Sequence, residues 1–166
     1  MKSHEVNSEE TIWKRDAIIR HVECLARSLK HWTGRELLPA ANGAQNLARD
    51  LFHAPFVVVS HGTEADPVLN FGNKTAMSLW EMSWEELTRT PSRFTAEAPN
   101  REERARLLDQ VTRHGFIDDY SGIRISKSGR RFRIERATVW NLLDDRGVYC
   151  GQAATFDHWE FLPPKT

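Results

Sequence analysis

The residues best suited to acid–base chemistry in this sequence surround His61, which is followed closely by Glu64 and Asp66. A histidine oriented by a carboxylate can act as a general base, and the same residue types can bind a metal ion. Metal sites usually need three protein ligands, and the chain has no H-x-H or H-x-x-x-H spacing. The sequence therefore offers His61 as a candidate base, oriented by Glu64 or Asp66, and predicts no metal site.

Polar side chains also fall among apolar neighbours in segments with strand character. Gln152 is the polar member of a mostly apolar row on the last predicted strand, and Arg136 interrupts a similar row on the strand before it. A buried amide needs hydrogen-bond partners and a buried guanidinium needs a carboxylate, which either the protein or a ligand could supply. Both interpretations stay open. The two rows predicted to share a face are Val148, Cys150, Gln152, Ala154 and Phe156, and Phe132, Ile134, Arg136, Thr138, Trp140 and Leu142.

Signatures of common enzyme classes are missing from the chain, including the nucleophile elbow, the P-loop, the dinucleotide fingerprint and the zinc-protease helix. The carboxylate pairs Asp118-Asp119 and Asp144-Asp145 are chain neighbours, so their side chains diverge and suit acid–base catalysis poorly. The sequence therefore predicts no catalytic residue and favours a non-catalytic protein.

Composition limits the class of protein further. A chain of 166 residues and 19.2 kDa fits one compact domain with an added helical segment. Its 23 basic and 23 acidic residues cancel, which argues against binding to nucleic acid or an anionic membrane. The polar start Met1–Glu5 does not resemble a signal peptide, and two cysteines make no disulfide framework. We therefore expect a cytoplasmic protein.

The N-terminal third has helical periodicity. Residues 8–33 predict one amphipathic helix, which Ser8 caps and Gly34 ends, and residues 43–52 predict a second short helix. The apolar stripe of the first helix is Ile18, Val22, Leu25, Leu29 and Trp32. We assign residues 1–54 to a helical extension that packs on the domain or against its copy in a homodimer.

The remaining chain alternates short strands, helices and long strands. Strands are predicted at 56–61 and 68–71, and Asn73 and Ser83 are predicted to cap two short helices. A longer helix opens at Asn100 and ends after His114, and three strands follow at 116–126, 131–143 and 148–156. This order predicts an α+β domain with one antiparallel sheet.

The order of elements resembles the PAS fold, in which two short strands lead through short helices and a longer helix into three long strands. The matching stretches are Asp66-Pro-Val-Leu-Asn-Phe-Gly-Asn73, where an Asn caps a helix, and Gly122–Phe132 with Asp144-Asp-Arg-Gly147, where Lys-x-Gly and Asp-x-x-Gly turns recur. The resemblance implies a PAS-like five-stranded antiparallel sheet with short helices on one face, preceded by the N-terminal amphipathic helix. It assigns residues 55–160 to the domain and 161–166 to a tail.

Four shorter segments resemble the MEKHLA family, a PAS-like domain found alone in bacteria and at the C-terminus of plant homeodomain-zipper regulators. They are His61-Gly-Thr-Glu64, Gly72-Asn-Lys-Thr-Ala76, Leu79-Trp-Glu81 and Ala153-Ala-Thr-Phe156. The chain is similar to the stand-alone bacterial type. The resemblance implies a module that senses a small molecule or a redox change, without the plant proteins' DNA-binding role.

These observations predict a small-molecule-binding or sensory module that signals through protein–protein contacts. The alternatives are a small enzyme with His61 as base in the same cavity, and a ligand-free interaction or dimerisation module. The residues predicted to line the pocket are His61, Asn73, Trp80, Tyr120, Arg136, Trp140 and Gln152.

The cofactor is unidentified at this level. Light-sensing relatives of PAS carry a reactive cysteine in the segment corresponding to Pro91–Glu97, which here has none, so cysteinyl-adduct photochemistry is not expected. Non-covalent flavin or another small organic ligand stays open. Haem is disfavoured. The candidate axial ligand, His114, ends a helix, and a histidine at that position more often interacts with the helix dipole. The expected partners are a homodimer copy bound through the N-terminal helix and an unidentified protein, with no nucleic acid and no membrane.

Overall fold

The computed structural model describes residues 9–39 and 42–164 and contains one antiparallel sheet. The strand order is β2-β1-β5-β4-β3, and β6 pairs with the first part of β4. The helices are α1 (Asp16–Thr33), α2 (Ala44–Phe52), α3 (Lys74–Trp80), α4 (Trp84–Leu87) and α5 (Ala98–His114). The strands are β1 (Val57–His61), β2 (Leu69–Gly72), β3 (Phe116–Ile125), β4 (Arg131–Leu143), β5 (Tyr149–Phe156) and β6 (His158–Phe161). The predicted α+β fold is confirmed, and β6 adds a sixth strand that the sequence interpretation missed.

The central part of the sheet is buried on both faces. One face packs against α3 and α5 around Phe132 and Val139, and we call it the inner face. The opposite, outer face packs against α1 around Trp140 and Leu142. Because both faces are covered there, each buried polar side chain in this central part must find a partner within the fold or in a bound molecule.

The predicted N-terminal helix is present but does not run unbroken from residue 8. Residues 9–12 form a helical turn, residues 13–15 leave the helix, and α1 then begins at Asp16 and ends at Gly34 in the left-handed conformation. In an unbroken helix Ile12 would point about 120° away from Ile18 and the apolar stripe. The break allows Ile12 to be fully buried. Ser8, the predicted cap, lies outside the described residues.

The apolar stripe of helix α1 packs against the sheet of the same chain. Val22 and Leu25 are fully buried against the sheet. Two indoles fix the contact: Trp140 Nε1 donates to Leu25 O at 3.3 Å, and Trp32 Nε1 donates to Asn141 O at 2.9 Å. A homodimer through this helix stays a prediction, and it would have to use the helix face turned away from the sheet.

A pair of thiols lies at the same contact. Cys24 Sγ of α1 is 3.9 Å from Cys150 Sγ of β5, and both cysteines are free. Burial, and then the neighbouring Cys24, raise the pKa of the Cys150 thiol to about 12. Cys150 is therefore a protonated packing residue at neutral pH.

Two bulges decide which side chains of β4 reach the inner face. Asp119 and Arg136 have φ values of 56° and 52°, and the β3–β4 register shifts on either side of Tyr120. The shift turns Ala137 to the inner face and Trp140 to the outer face. The prediction that Phe132 to Leu142 form one row is therefore wrong, because a bulge changes the alternation of the residues that follow it.

The predicted helix ends agree with the structure at most sites. Asn73 and Ser83 cap α3 and α4 through their side chains, and Gly115 ends α5. Helix α5 begins at Ala98 rather than at Asn100, with a proline in its first turn, where proline is well tolerated.

Asn73 ties three elements together. Its side-chain oxygen accepts from Ala76 N and Val58 N at 3.1 and 3.2 Å, and its amide nitrogen donates to Leu51 O and Phe56 O at 3.0 and 2.8 Å. The residue is fully buried, so both halves of the amide are used inside the protein.

We expect Asn73→Ala to lower the free energy of unfolding by about 3–4 kcal/mol, because four buried backbone groups lose their partner. Ser83→Ala is the matched control: it removes an N-cap from the neighbouring helix and should cost about 1 kcal/mol. Urea denaturation followed by far-UV circular dichroism measures both. Equal losses of unfolding free energy for the two variants would show that Asn73 contributes no more to stability than an ordinary helix cap.

His21 is a second buried polar contact, between α1 and the sheet. Its Nε2 lies 2.8 Å from Ser60 Oγ, which donates in turn to Asn70 Oδ1 at 2.6 Å. The Ser60 hydroxyl therefore accepts from a neutral His21 ring. Burial lowers the pKa of His21 from 6.5 to about 4.

The unfolded chain takes up a proton at His21 near pH 6.5, whereas the folded protein does so only near pH 4. We therefore expect the free energy of unfolding to fall as pH drops between these values, by up to about 3 kcal/mol from His21. His21→Gln retains a donor to Ser60 and should reduce this dependence, whereas His31→Gln on the exposed side of α1 should not. Denaturation curves at several pH values measure the difference, and parallel curves for wild type and His21→Gln would contradict it.

Candidate ligand-binding site

A cavity of about 60 Å³ lies between the inner face of the sheet and helices α3 and α5. Its volume admits a few water molecules or one small ligand. Most of its wall is apolar and comes from Val59, Leu69, Leu107, Leu108, Ile134, Val139, Ala154 and Phe156. Polar groups also reach it, from His61, Trp80, Arg104, Tyr120, Arg124 and Gln152.

The structure brings four of the seven predicted residues together at this cavity and places three elsewhere. His61, Trp80, Tyr120 and Gln152 line it. Asn73 is buried away from this cavity, where its side chain caps α3. Arg136 is exposed at the β4 bulge, beside a separate open groove, and Trp140 packs under α1 on the outer face. Ligand binding by any of the seven stays a prediction.

His61 presents one unpaired ring nitrogen to the cavity. The residue is 6% exposed, its Nδ1 lies 2.9 Å from Gly62 O, and its buried Nε2 has no hydrogen bond of normal geometry. The Nδ1 contact makes Nδ1 the protonated atom, so Nε2 of the neutral ring is an acceptor. Burial lowers the pKa of His61, with Arg104 acting in the same direction and the Gly62 carbonyl, Glu64 and Gln152 opposing it.

Trp80, which lines the same cavity, carries an unpaired donor. The residue is 3% exposed, and its indole Nε1 is buried without a hydrogen-bond partner. Its ring packs edge-on against Phe132 and Phe156 at centroid distances of 5.4 and 6.2 Å, which fixes its direction. Among the described residues the one further unpaired side-chain atom of this kind, Trp13 Nε1, belongs to the N-terminal segment.

Two arginines face the cavity from opposite walls. Arg124 of β3 is 6% exposed and donates to Ile123 O at 2.8 Å and to the Tyr120 hydroxyl at 3.2 Å. That hydroxyl donates in turn to the Glu103 carboxylate at 3.1 Å. Arg104 of α5 is partly buried, and burial followed by repulsion from Arg124 lowers its pKa to about 10. The Arg104 guanidinium is thus charged at neutral pH.

Arg104 was not identified from the sequence, although one signal for it exists. It stands three, four and seven residues before Leu107, Leu108 and Val111, which places it on the buried stripe of α5. Arg124 was noticed on the face of Tyr120 but was grouped with the basic residues of the hairpin tip. It faces inward because it lies opposite Phe132 of β4, which belongs to the inner face.

The amide nitrogen of Gln152 bonds inside the protein, and the residue also lines the cavity. Its Nε2 donates to Leu108 O and Thr112 Oγ1 at 3.0 Å and to Asn141 Oδ1 at 3.1 Å. These contacts tie β5 to α5. The amide therefore holds one wall of the cavity in place.

The structure does not assemble the acid–base pair considered for His61. Glu64 accepts from Val68 N at 3.0 Å, and Asp66 pairs with Arg93 at 3.1 Å. The His61 nitrogen that a carboxylate would orient contacts the Gly62 carbonyl instead. Among residues 9–39 and 42–164, no cluster of three or more His, Cys, Asp or Glu side chains could hold a metal ion. No helix within these ranges is both long and apolar enough to span a membrane.

Solved structures of PAS and light-oxygen-voltage domains share the fold of this chain. The PAS domain of a Colwellia psychrerythraea protein superposes with a TM-score of 0.57 at 14% identity, covering 67% of this chain and 92% of that one. A light-oxygen-voltage domain studied with a flavin analogue gives 0.56 at 14% identity, covering 73% and 89%. An RNA-binding light-oxygen-voltage receptor gives 0.60 at 17% identity, covering 72% of this chain and 34% of the receptor.

The family model described as the MEKHLA domain matches residues 19–161, so the chain belongs to the MEKHLA domain family. Homeobox-leucine zipper protein HOX10 of Oryza sativa subsp. japonica is 26% identical over 140 residues, which are 83% of this chain and 17% of that protein. Homeobox-leucine zipper protein ATHB-14 of Arabidopsis thaliana is 27% identical over 146 residues, which are 85% and 17%. The chain thus spans 17% of the length of these curated relatives.

A flavin does not fit the cavity as it stands. Pockets for cofactors and drug-sized ligands usually measure about 300–1,000 Å³, whereas this cavity measures about 60 Å³. Neither cysteine lines it, since Cys24 and Cys150 belong to the α1 contact with the sheet. Trp80 and Phe156, which fill the space, are held by edge-on ring packing.

We therefore expect FMN, added in excess to the purified protein, to leave its melting temperature unchanged. The reason is steric, because the three-ring system would have to displace packed aromatic side chains. Differential scanning fluorimetry and quenching of flavin fluorescence measure binding. A saturable rise in melting temperature with FMN would show that the cavity opens far beyond the described shape.

Proposed function

We propose that the protein is a sensory module that binds a small ligand in the cavity behind α5 and passes the signal to another protein by direct contact. The PAS class supplies the general setting, and the geometry of the cavity supports the ligand. We further propose that it acts in the cytoplasm, where Cys24 and Cys150 would persist as thiols.

The observation that carries this proposal is the pair of unpaired polar atoms at one cavity. His61 Nε2 and Trp80 Nε1 are both buried and lack a hydrogen bond of normal geometry. Leaving a buried polar group unpaired costs about 1–3 kcal/mol, so folded proteins rarely retain two at one place without use. A ligand that bonds to them would remove that cost.

The wall of the cavity offers a route for the signal. Ala154 on β5 faces the cavity, and its neighbour Ala153 belongs to the core under α1. A ligand that shifts β4 or β5 would therefore also shift the surface on which α1 rests. The outer side of α1, which carries Arg20, Glu23 and Arg27, is where we propose that a protein partner or a second copy binds.

A second candidate is an interaction module that needs no ligand. The small volume of the cavity, about 60 Å³, favours it. The two candidates differ in what fills the cavity, and an experiment on its contents separates them.

We expect small molecules released by denaturing the freshly purified protein to include one compound at about one equivalent. Ala154→Leu should abolish it, because the added side chain occupies the space that the ligand needs. Thr155→Val on the same strand, which faces away from this cavity, is the control. Mass spectrometry of the released fraction identifies the compound, and native mass spectrometry gives its stoichiometry.

A weak ligand would be lost during purification, so a second measurement is needed. A panel of small anions, cations and neutral compounds should include at least one that raises the melting temperature of the wild type but not of Ala154→Leu. If nothing is released, and no compound separates the two proteins, the cavity is only a packing void and the ligand-free candidate is correct.

A further inference from the structure

We infer that the ligand is a small carboxylate, bound between Arg104 and Arg124 with its aliphatic end against the apolar wall. The inference rests on the proposed function, since it names the ligand class of the same cavity. Four observations on the described residues support it: two facing cations, the absence of a direct counter-ion, free hydrogen-bonding atoms, and the size and polarity of the space.

The two guanidinium groups are the dominant charges at the cavity. Arg104 comes from α5 and Arg124 from β3, and both line the same space. They are close enough for repulsion from Arg124 to contribute to the lowered pKa of Arg104. Two like charges in a partly dry space repel strongly, because water screens them poorly there. An anion between them would turn this repulsion into two attractions.

The described part of the chain does not supply that anion directly. Arg104 forms no ion pair and no side-chain hydrogen bond with any described residue. The nearest carboxylate to Arg124 is reached through a hydroxyl: Arg124 donates to Tyr120, which donates to Glu103. Among the residues that line the cavity, only the two arginines carry a full charge, so the lining itself is positively charged.

The unpaired ring nitrogens of Trp80 and His61 also suit a carboxylate ligand. The Trp80 indole N–H can donate only, so its missing partner must be an acceptor. His61 Nε2 becomes a donor when the ring is protonated, and an anion beside it favours that form. The groups facing His61 are Arg104, Glu64, Gln152 and the Gly62 carbonyl. A carboxylate can accept from these donors and from both arginines at once.

The apolar wall distinguishes a short organic acid from an inorganic anion. Leu107, Ile134 and Val139 approach the same space as the arginines. A bare inorganic ion would leave these side chains against an empty or hydrated volume. At about 60 Å³ the cavity has room for an acid the size of acetate or propionate and not for a tricarboxylate.

The test is a titration of ¹⁵N-labelled protein with sodium acetate, followed at the Trp80 indole N–H resonance. Trp80→Phe identifies that resonance among the six tryptophans. Acetamide has the same shape without the charge, and sodium chloride has the charge without the shape. We expect saturable shifts with acetate, at least tenfold weaker binding of acetamide, and no saturation with chloride over the same range.

Two variants on α5 locate the effect. Arg104→Met removes the unpaired charge and keeps the length of the side chain, and we expect at least a tenfold loss of acetate affinity. Arg106→Met removes an exposed arginine that pairs with Glu102, and we expect a change of less than twofold. Without acetate, the melting temperature of Arg104→Met should be no lower than that of the wild type, because the substitution relieves repulsion between the two arginines. If Arg104 had a purely structural role, its removal would lower the melting temperature.

Each contrary result has a separate meaning. Equal binding of acetamide and acetate, abolished by Ala154→Leu, would overturn the carboxylate inference and leave a sensor of neutral ligands. Saturation with chloride at the acetate concentration would overturn it in favour of a simple anion. No saturable shift with any compound, together with an empty released fraction, would overturn both this inference and the proposed function.

Discussion

Burial of both faces of the sheet is the constraint on which the rest of this structure depends. Antiparallel sheets often leave one face in water, where any polar side chain is satisfied at no cost. Here α1 removes that option on the outer face, and α3 with α5 remove it on the inner face. Each buried polar group in the central part of the sheet is therefore either bonded within the fold or available to a molecule that enters the fold.

The two faces resolve this constraint differently. On the outer face the indole of Trp140 donates to the α1 backbone, and His21 bonds to Ser60. On the inner face the amide nitrogen of Gln152 is used, but His61 Nε2 and Trp80 Nε1 lack a hydrogen bond of normal geometry, and the Arg104 guanidinium has no ion pair within the described residues. The unpaired groups thus gather at one place rather than being scattered over the sheet. Such gathering is typical of a binding site, because packing defects have no reason to share one cavity.

The sequence predicts what is decided locally. Asn73, Ser83 and Gly34 were predicted to cap or end helices and do so, because a cap depends on residues only three or four positions apart. The stripe of α1 was predicted for the same reason, since its period is built into the chain. The break before Asp16 was missed, because it depends on where Ile12 finds space in the folded core.

Long-range geometry accounts for what was missed at the site. Strand alternation placed Arg136 and Trp140 beside Phe132, but the bulge at Arg136 reverses the alternation, and a left-handed arginine has no sequence signature. The bulge at Arg136 does not affect His61, Tyr120 and Gln152, which lie on other strands. These three residues do reach the cavity. Arg104 is hidden for a different reason: a charged residue on a helix is normally solvated, and only its position on the stripe of Leu107 and Val111 indicates otherwise.

The positions of the two arginines determine how a ligand in the cavity would act on the surrounding structure. Arg104 and Arg124 lie on different elements, α5 and β3, and both line the cavity, so their mutual repulsion presses these elements apart. The far half of α5 is fixed to the sheet, because Gln152 and Asn141 bond to its backbone near Leu108 and Val111. The near half is tied to the sheet by the hydrogen bond between Tyr120 and Glu103 and, at its N-cap, by the ion pair between Arg131 and Glu97. An anion between the arginines would therefore draw Arg104 towards β3 on a helix that is held at both ends. The small size of the cavity helps, because a ligand of few atoms changes the charge balance without having to force the walls apart.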